Sequence, residues 1–362
     1  MEPSLDRATA ASAAASMIRR ADATAGEVGD RFPLYAGPGE GRWTSTRRGS
    51  WTGGFWAGLL WLAAGAAGDG DGGHAVRRAR EVTVRLRDRV HDDTDTRALT
   101  FWYGAAQGHL RHGDTAAARI AAEGAEALVA AAHPRHGVLP AGTALGRGAR
   151  GADELTVDAA GAAVALLDWA GRERDCPGAR ELAQRHAAAV RDRCLDEHGG
   201  VRPSVRLDGT GRDEAPAGTW ARGQAWGVLA LTTAARVLRD GERDGGEGYR
   251  DAALLAARHW LRHTGDAVPP WSFADPDGHH DTSAGAIAAQ ALLELAELTP
   301  GRPGRDLHEA AARLLGALVS GHLRNGRLLD GCYDPASGTA VAHELIWGDY
   351  FLLSALQRFA GR

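Results

Sequence analysis

The chain has 362 residues, 44% of them apolar, three cysteines, no lysine and a formal net charge of −4. That is apolar content enough for a sizeable core, with no uninterrupted apolar run of about 18 residues that would indicate a membrane span. The weakly acidic balance excludes the basic footprint of a nucleic-acid binder, and Cys176, Cys194 and Cys332 are too few and scattered for a disulfide framework.

Along the chain, polar segments with helical spacing alternate with apolar ones that open on Gly, aromatic or acidic residues. A polar segment near 5–28 precedes the run from Trp51, and one near 74–91 precedes the run from Thr100. Segments near 114–132 and 178–194 precede the runs from Val157 and Trp220, and those near 248–263 and 305–321 precede the runs from Thr282 and His343. The apolar runs recur at intervals of 49 to 63 residues, the signature of an internal structural repeat. Helices apolar all round belong inside and amphipathic ones outside. Six hairpins of that kind predict an all-α fold, an (α/α)6 barrel formed as one domain over residues 1–362, with residues 1–5 disordered. Asp114 and Asp251 are the expected caps of two outer helices. The run Val201-Arg202-Pro203-Ser204-Val205 predicts a small rim hairpin, and the Gly-rich spans Gly65–Gly73, Gly146–Asp153 and Gly241–Gly248 read as loops.

The distinctive residues gather where the inner segments begin, hence at one end of the barrel. Helix N-termini carry unpaired N–H groups and a positive dipole end, which suits an anionic ligand such as a sugar acid. Trp220-Ala221-Arg222-Gly223-Gln224-Ala225-Trp226 offers two indoles for a sugar face and a guanidinium fork for a carboxylate; both indoles read equally well as core. Asp158 precedes a row of small apolar residues, where burial would keep a carboxyl protonated as a proton donor; its plain alternative is a helix cap. Asp92, Asp93 and Asp95 form an acidic loop before the second inner helix. Asp281 reads as a cap or rim hydrogen-bonder, and Asp349 as a tie between inner helices. His109 with His112 lacks a carboxylate at ligand spacing, and His279-His280-Asp281 reads as a rim loop, so no metal is expected. Asp69-Gly70-Asp71-Gly72 lacks the closing Glu of a calcium loop. No phosphate-binding loop or nucleophile elbow is present.

Four stretches in order, Trp51-Thr52-Gly53-Gly54-Phe55-Trp56, Trp220 to Trp226, Asp281-Thr282-Ser283-Ala284-Gly285-Ala286-Ile287 and Ile346-Trp347-Gly348-Asp349-Tyr350-Phe351, resemble glycoside hydrolase family 88, the unsaturated glucuronyl hydrolases. The resemblance runs from about residue 43 to the end. It implies the same barrel, no cofactor, and a hydration-initiated glycosidase: an Asp protonates C4 of a 4,5-unsaturated uronic acid, water adds at C5, and the hemiketal opens with loss of the glycosidic bond. By this resemblance Asp158 is the catalytic acid/base, and Trp51, Trp220, Arg222 and Trp226 are substrate-binding. Arg97, Asp95, Trp347 and Tyr333 complete the candidate substrate contacts.

The chain departs from the family pattern in several places. Asp95-Thr96-Arg97-Ala98-Leu99-Thr100-Phe101 stands where Asp-Thr-His-Asp-x-Gly-Phe is usual, so Ala98 replaces a second carboxylate and Arg97 replaces a His. A rim His is replaced near Ser204, a Gln has no match between Leu207 and Gly218, and a Trp is absent near Pro140-Ala141. Arg97 is expected to place a positive charge near Asp158. The partner is therefore a small anionic sugar, with neither nucleic acid nor membrane, and the chain is a monomer or homodimer. Met1 to Asp6 lacks a secretory pattern, so a cytoplasmic enzyme is expected. Two other readings remain open on the residues alone: a repurposed hydratase, lyase or cyclase of specialised metabolism, and a catalytically dead sugar-binding protein.

Overall fold

A computed structural model describes residues 5–66, 72–209, 217–238, 247–265 and 267–361. Outer and inner helices alternate from the start. The outer set is α1 (Arg7–Val28), α3 (Gly72–Arg85), α6 (Thr115–Ala130), α8 (Ala179–Cys194), α10 (Glu247–Thr264) and α12 (Arg302–Ala317). The inner set is α2 (Gly53–Ala66), α4 (Arg97–Phe101) continued through a π-turn at Trp102–Ala106 into α5 (Gln107–His112), then α7 (Ala160–Glu173), α9 (Ala221–Val237), α11 (Thr282–Leu298) and α13 (Ile346–Ala360). Each inner helix packs on the next, and α13 packs back on α2, closing the ring. The predicted (α/α)6 barrel is what forms.

Burial explains the two rings. Every residue from Gly53 to Ala64 of α2 is buried, and α11 is buried continuously from Thr282 to Leu295. The outer α12 buries one face only, through Leu307, Ala311, Leu314, Leu315 and their neighbours. Small residues let the inner backbones touch. A Cβ on Gly54 would stand 2.5 Å from Thr100 Cα, and one on Gly104 would stand 2.9 Å from Gly54 Cα.

Three expectations are corrected. Asp251 lies inside α10, which begins at Glu247 and so needs no cap there; Asp114 does cap α6, accepting from Ala117 N at 2.8 Å. The rim hairpin is not local: β4 (Ser204–Arg206) pairs antiparallel with β3 (Glu154–Thr156), far away in sequence. Leu5 is buried rather than disordered, while residues 1–4 lie outside the described residues. So do Asp69, Gly70 and Asp71, the span 241–246, and 210–216 where the absent Gln was sought. A second sheet, ordered β2 (Trp43–Thr46), β1 (Phe32–Ala36), β7 (Glu344–Leu345), and a short pair of β5 (Leu323–Arg324) with β6 (Arg327–Leu328) complete the rim. Among the described residues no helix is long and apolar enough to cross a membrane.

The barrel axis is blocked midway by Phe55, Tyr103, Trp226, Tyr350 and Phe351, whose ring centroids lie 5.0–6.4 Å apart. Beyond this plug, at the C-terminal ends of the inner helices, lies a cavity of about 550 Å³ lined by Arg236, Glu294, Gln290 and Gln357 among others. The candidate chemistry lies at the opposite, N-terminal end.

Candidate active site

Strand β3 and the turn after it fix Asp158. Leu155 and Thr156 pair with Val205 and Ser204, Val157 N donates to Pro203 O at 3.0 Å, and Ala160 N donates to Val157 O at 3.2 Å. The helix cap is Ala159, with no side-chain capping bond, so Asp158 is not the cap. Among the described residues no hydrogen bond or ion pair is formed by its carboxyl group, which is only partly covered at the barrel mouth. Burial pushes it up to about 6, against the charges of Arg222 and Arg147, which pull it down. An unpaired carboxyl that still holds its proton at about pH 6 is equipped to donate it.

The acidic loop before α4 sorts its three carboxylates by partner. Asp92 pairs with Arg48 and Arg89 at 2.8 and 2.9 Å, and Asp93 accepts from Thr143 N at 3.0 Å. Asp95 turns inward, 5% exposed, and accepts from the Thr156 hydroxyl. Burial raises its carboxyl to about 6; the Thr156 hydrogen bond, Arg147 and Thr94 oppose that shift and the charge of Asp158 adds to it. Two carboxyls therefore sit close enough to sense one another across the β3–α7 turn.

Arg222, in the first turn of α9, is at the mouth, yet its fork is occupied by protein. Nη1 donates to Asp281 and to Cys332 O (2.7 Å), and Nη2 donates to Tyr333 O (2.9 Å). Its guanidinium carbon lies 5.0 Å from the Trp220 ring centroid and 5.8 Å from that of Trp347. Asp281 caps α11 and also receives Ser283 Oγ at 2.6 Å, and that hydroxyl accepts from Trp347 Nε1 at 3.0 Å. Trp347 is fully buried behind Trp51, ring centroids 4.8 Å apart, and Trp51 Nε1 donates to Tyr333 Oη at 3.2 Å. These residues form one frame: Arg222, Asp281, Ser283 and Trp347 hold Trp51 and Tyr333 at the rim.

The structure therefore brings Asp158, Asp95, Trp51, Trp220, Arg222 and Tyr333 to one mouth, and removes three sequence candidates from it. Trp347 supports Trp51 rather than presenting its own face. Trp226 lies in the aromatic plug, 3% exposed. Arg97 is buried, donating to Thr94 O (3.1 Å) and Val90 O (2.7 Å) and facing Asp93, Asp92 and, more weakly, Asp95; it satisfies carbonyls at a turn and does not act on Asp158 directly. Asp349 accepts from Leu328 N of β6 rather than joining inner helices. His109 contacts Arg174, His112 contacts Trp61 O, and His279 and His280 are exposed. No cluster of three metal-ligating side chains occurs among the described residues. Two contributors lacked any sequence signal. Thr156 is one. The other is Arg147, whose Nη1 donates to Glu154 at 3.0 Å and whose charge reaches both Asp95 and Asp158.

No family model matches the chain. It is 30% identical over 356 residues to an unsaturated glucuronyl hydrolase of Bacillus sp. (strain GL1), covering 92% of each. It is also 30% identical to an unsaturated chondroitin disaccharide hydrolase of Streptococcus pyogenes serotype M1, over 85% of this chain and 81% of that one. The crystal structure of the Bacillus sp. GL1 unsaturated glucuronyl hydrolase superposes with a TM-score of 0.84 at 26% identity, over 98% of this chain and 96% of the other. With a mouth that holds an unpaired carboxyl, a neighbouring carboxyl and an aromatic rim, this chain belongs to the unsaturated glucuronyl hydrolases, glycoside hydrolase family 88.

Proposed function

We propose that the protein hydrates the C4=C5 enol ether of an unsaturated uronic acid at the end of an oligosaccharide, with Asp158 as acid and then base. The proton of Asp158 goes to C4, and the π electrons of C4=C5 form the new C4–H bond. The ring oxygen shares the positive charge left at C5, water adds there, and its proton returns to Asp158. The hemiketal then opens and the glycosidic bond is lost. The net change is one water consumed and one sugar released. The observation that carries this reading is the Asp158 carboxyl: without a partner, open to the mouth and raised to about 6.

Trp51 and Trp220 supply ring faces for the sugar. Arg147 supplies the cation for its carboxylate, since one of its Nη atoms holds Glu154 and the remaining donors are not tied up in the frame that occupies Arg222. The end-to-end match to enzymes named for unsaturated uronides supports this reading over a specialised-metabolism role or a dead binding protein.

The test follows the loss of ultraviolet absorbance of the conjugated enoate in unsaturated disaccharides. Asp158→Asn should lose turnover by at least about 10²-fold, because an amide cannot donate and recover the proton. Activity needs the protonated acid, so the rate should fall as pH rises through about 6, giving an optimum on the acidic side. Full turnover by Asp158→Asn would sink the assignment.

A further inference from the structure

The usual place of the second family carboxylate is hydrocarbon here: Ala98 is fully buried in α4. One helical turn earlier, Asp95 is held by more contacts than a loop residue requires. Its N–H donates to Ala141 O at 3.1 Å, its carbonyl accepts from Ala98 N at 2.9 Å, and its carboxyl takes the Thr156 hydroxyl. Among the described residues it has no ion-pair partner within 4.0 Å. Among the described residues, the buried carboxylates Asp114, Glu154, Asp168, Asp281, Glu294 and Glu344 are each matched by arginine, and Asp349, which lies beside Glu344, shares with Asp95 the lack of one. A buried carboxyl without a counter-ion is costly to a fold. Such a group beside a proton donor marks function more readily than structure.

We propose that Asp95 is the second carboxylate of this site, a positioning residue that acts through Asp158, supplied one turn upstream of the position lost to Ala98. The inference rests on the hydration reading above. Three cations face the pair: Arg147 from the loop before β3 reaches both carboxyls, Arg222 of α9 reaches Asp158, and Arg97 of α4 reaches Asp95. Arg147 and Arg222 favour the ionised form of Asp158 and so oppose its role as acid. The two carboxyls repel one another when both are ionised, which offsets the cations, so that one proton stays on the pair at higher pH than either carboxyl alone would keep it. Once that proton has moved to C4, the Asp158 carboxylate faces the cation at C5 and its ring oxygen, with Asp95 behind it. The water that adds at C5 returns a proton to Asp158 and restores the pair. Thr156 aims the Asp95 oxygen and moderates its charge.

Carboxyl protonation is read by carbon-13 NMR titration of the substrate-free protein, comparing wild type, Asp95→Asn, Asp158→Asn and Thr156→Val. In Asp95→Asn, the Asp158 carboxyl should titrate about one pH unit lower or more. The descending limb of kcat should move with it, an about tenfold loss near neutral pH with KM little changed. Thr156→Val keeps Asp95 but removes its donor. It should shift the upper titration step of the pair, and the same kcat limb, upward; it gives the reading should Asp95→Asn fail to fold. An Asp158 titration and kcat limb that stay in place in both variants would overturn the proposal. Because the titration needs no substrate, a wild type silent on every unsaturated uronide would defeat the hydration reading alone and leave the coupling of the two carboxyls measured.

Discussion

The Arg222 guanidinium lies between two indoles and gives its donors to Asp281, Cys332 O and Tyr333 O. Lysine keeps the charge but not the planar fork or the stacking, so Arg222→Lys leaves carbonyls of the 332–333 segment without donors. The expected loss is about 1–3 kcal/mol of stability. Substrate binding should weaken too, because Tyr333 anchors Trp51. A variant that matches wild type in both melting temperature and KM would show that the frame holds nothing. Sequence alone suggested Arg222 as a clamp for the ligand; only the fold shows that its partners are protein atoms, since Asp281 and Cys332 lie 59 and 110 residues away. Asp158 and the two rim indoles were legible because they open repeated segments. Asp95 was one of three neighbouring acids until pairing separated them. Arg147 was hidden in a Gly- and Arg-rich loop with no periodicity to fix where it points.

Element by element, the helices were legible for a local reason. Each outer helix shows its buried face at helical spacing, and each inner one is apolar throughout, signals that need no distant partner. The β3–β4 pair was not legible, because Thr156 meets Ser204 across 48 residues and neither three-residue strand is long enough to show alternation. Yet that pair sets the turn carrying Asp158. Helix contact makes its own prediction. At Gly54 a methyl would meet Thr100 Cα at 2.5 Å and Thr100 O at 2.6 Å, both backbone atoms that cannot rotate away. Gly54→Ala must push α2 from α4, at a cost of about 1–3 kcal/mol, and should displace Asp95 and Trp51 relative to one another. Thermal unfolding and kcat/KM check this together; an unchanged melting temperature would mean that the two helices are not in contact there.

For the whole molecule, the ring must be closed where its first and last elements meet, and a buried charge cluster does this. Glu344 on β7 is fully buried and receives Arg20 of α1 through two bonds of 2.9 Å, while Arg327 of β6 reaches it at 2.8 Å. Arg327 also donates to Gly37 O at 2.5 Å, and Arg20 to Gly41 O at 3.0 Å, so the β1–β2 loop is drawn into the same cluster. Asp349 lies beside it; burial first, and then the Glu344 charge, raise it well above the ordinary carboxylate range. Burial thus favours the neutral form of Asp349, and Glu344 is the carboxylate that both arginines grip directly. Glu344→Gln removes the carboxylate that both arginines grip and strands two partly buried guanidinium groups, beside an Asp349 whose burial disfavours the ionised form that would replace it. Breaking a buried pair from one side costs about 3–5 kcal/mol, and the cost should fall on the α1–α13 seam. Urea unfolding should show that loss, and amide exchange should quicken first in α1. A variant within about 0.5 kcal/mol of wild type, with α1 as protected as before, would mean that apolar packing of α1 on α13 closes the barrel without the charges.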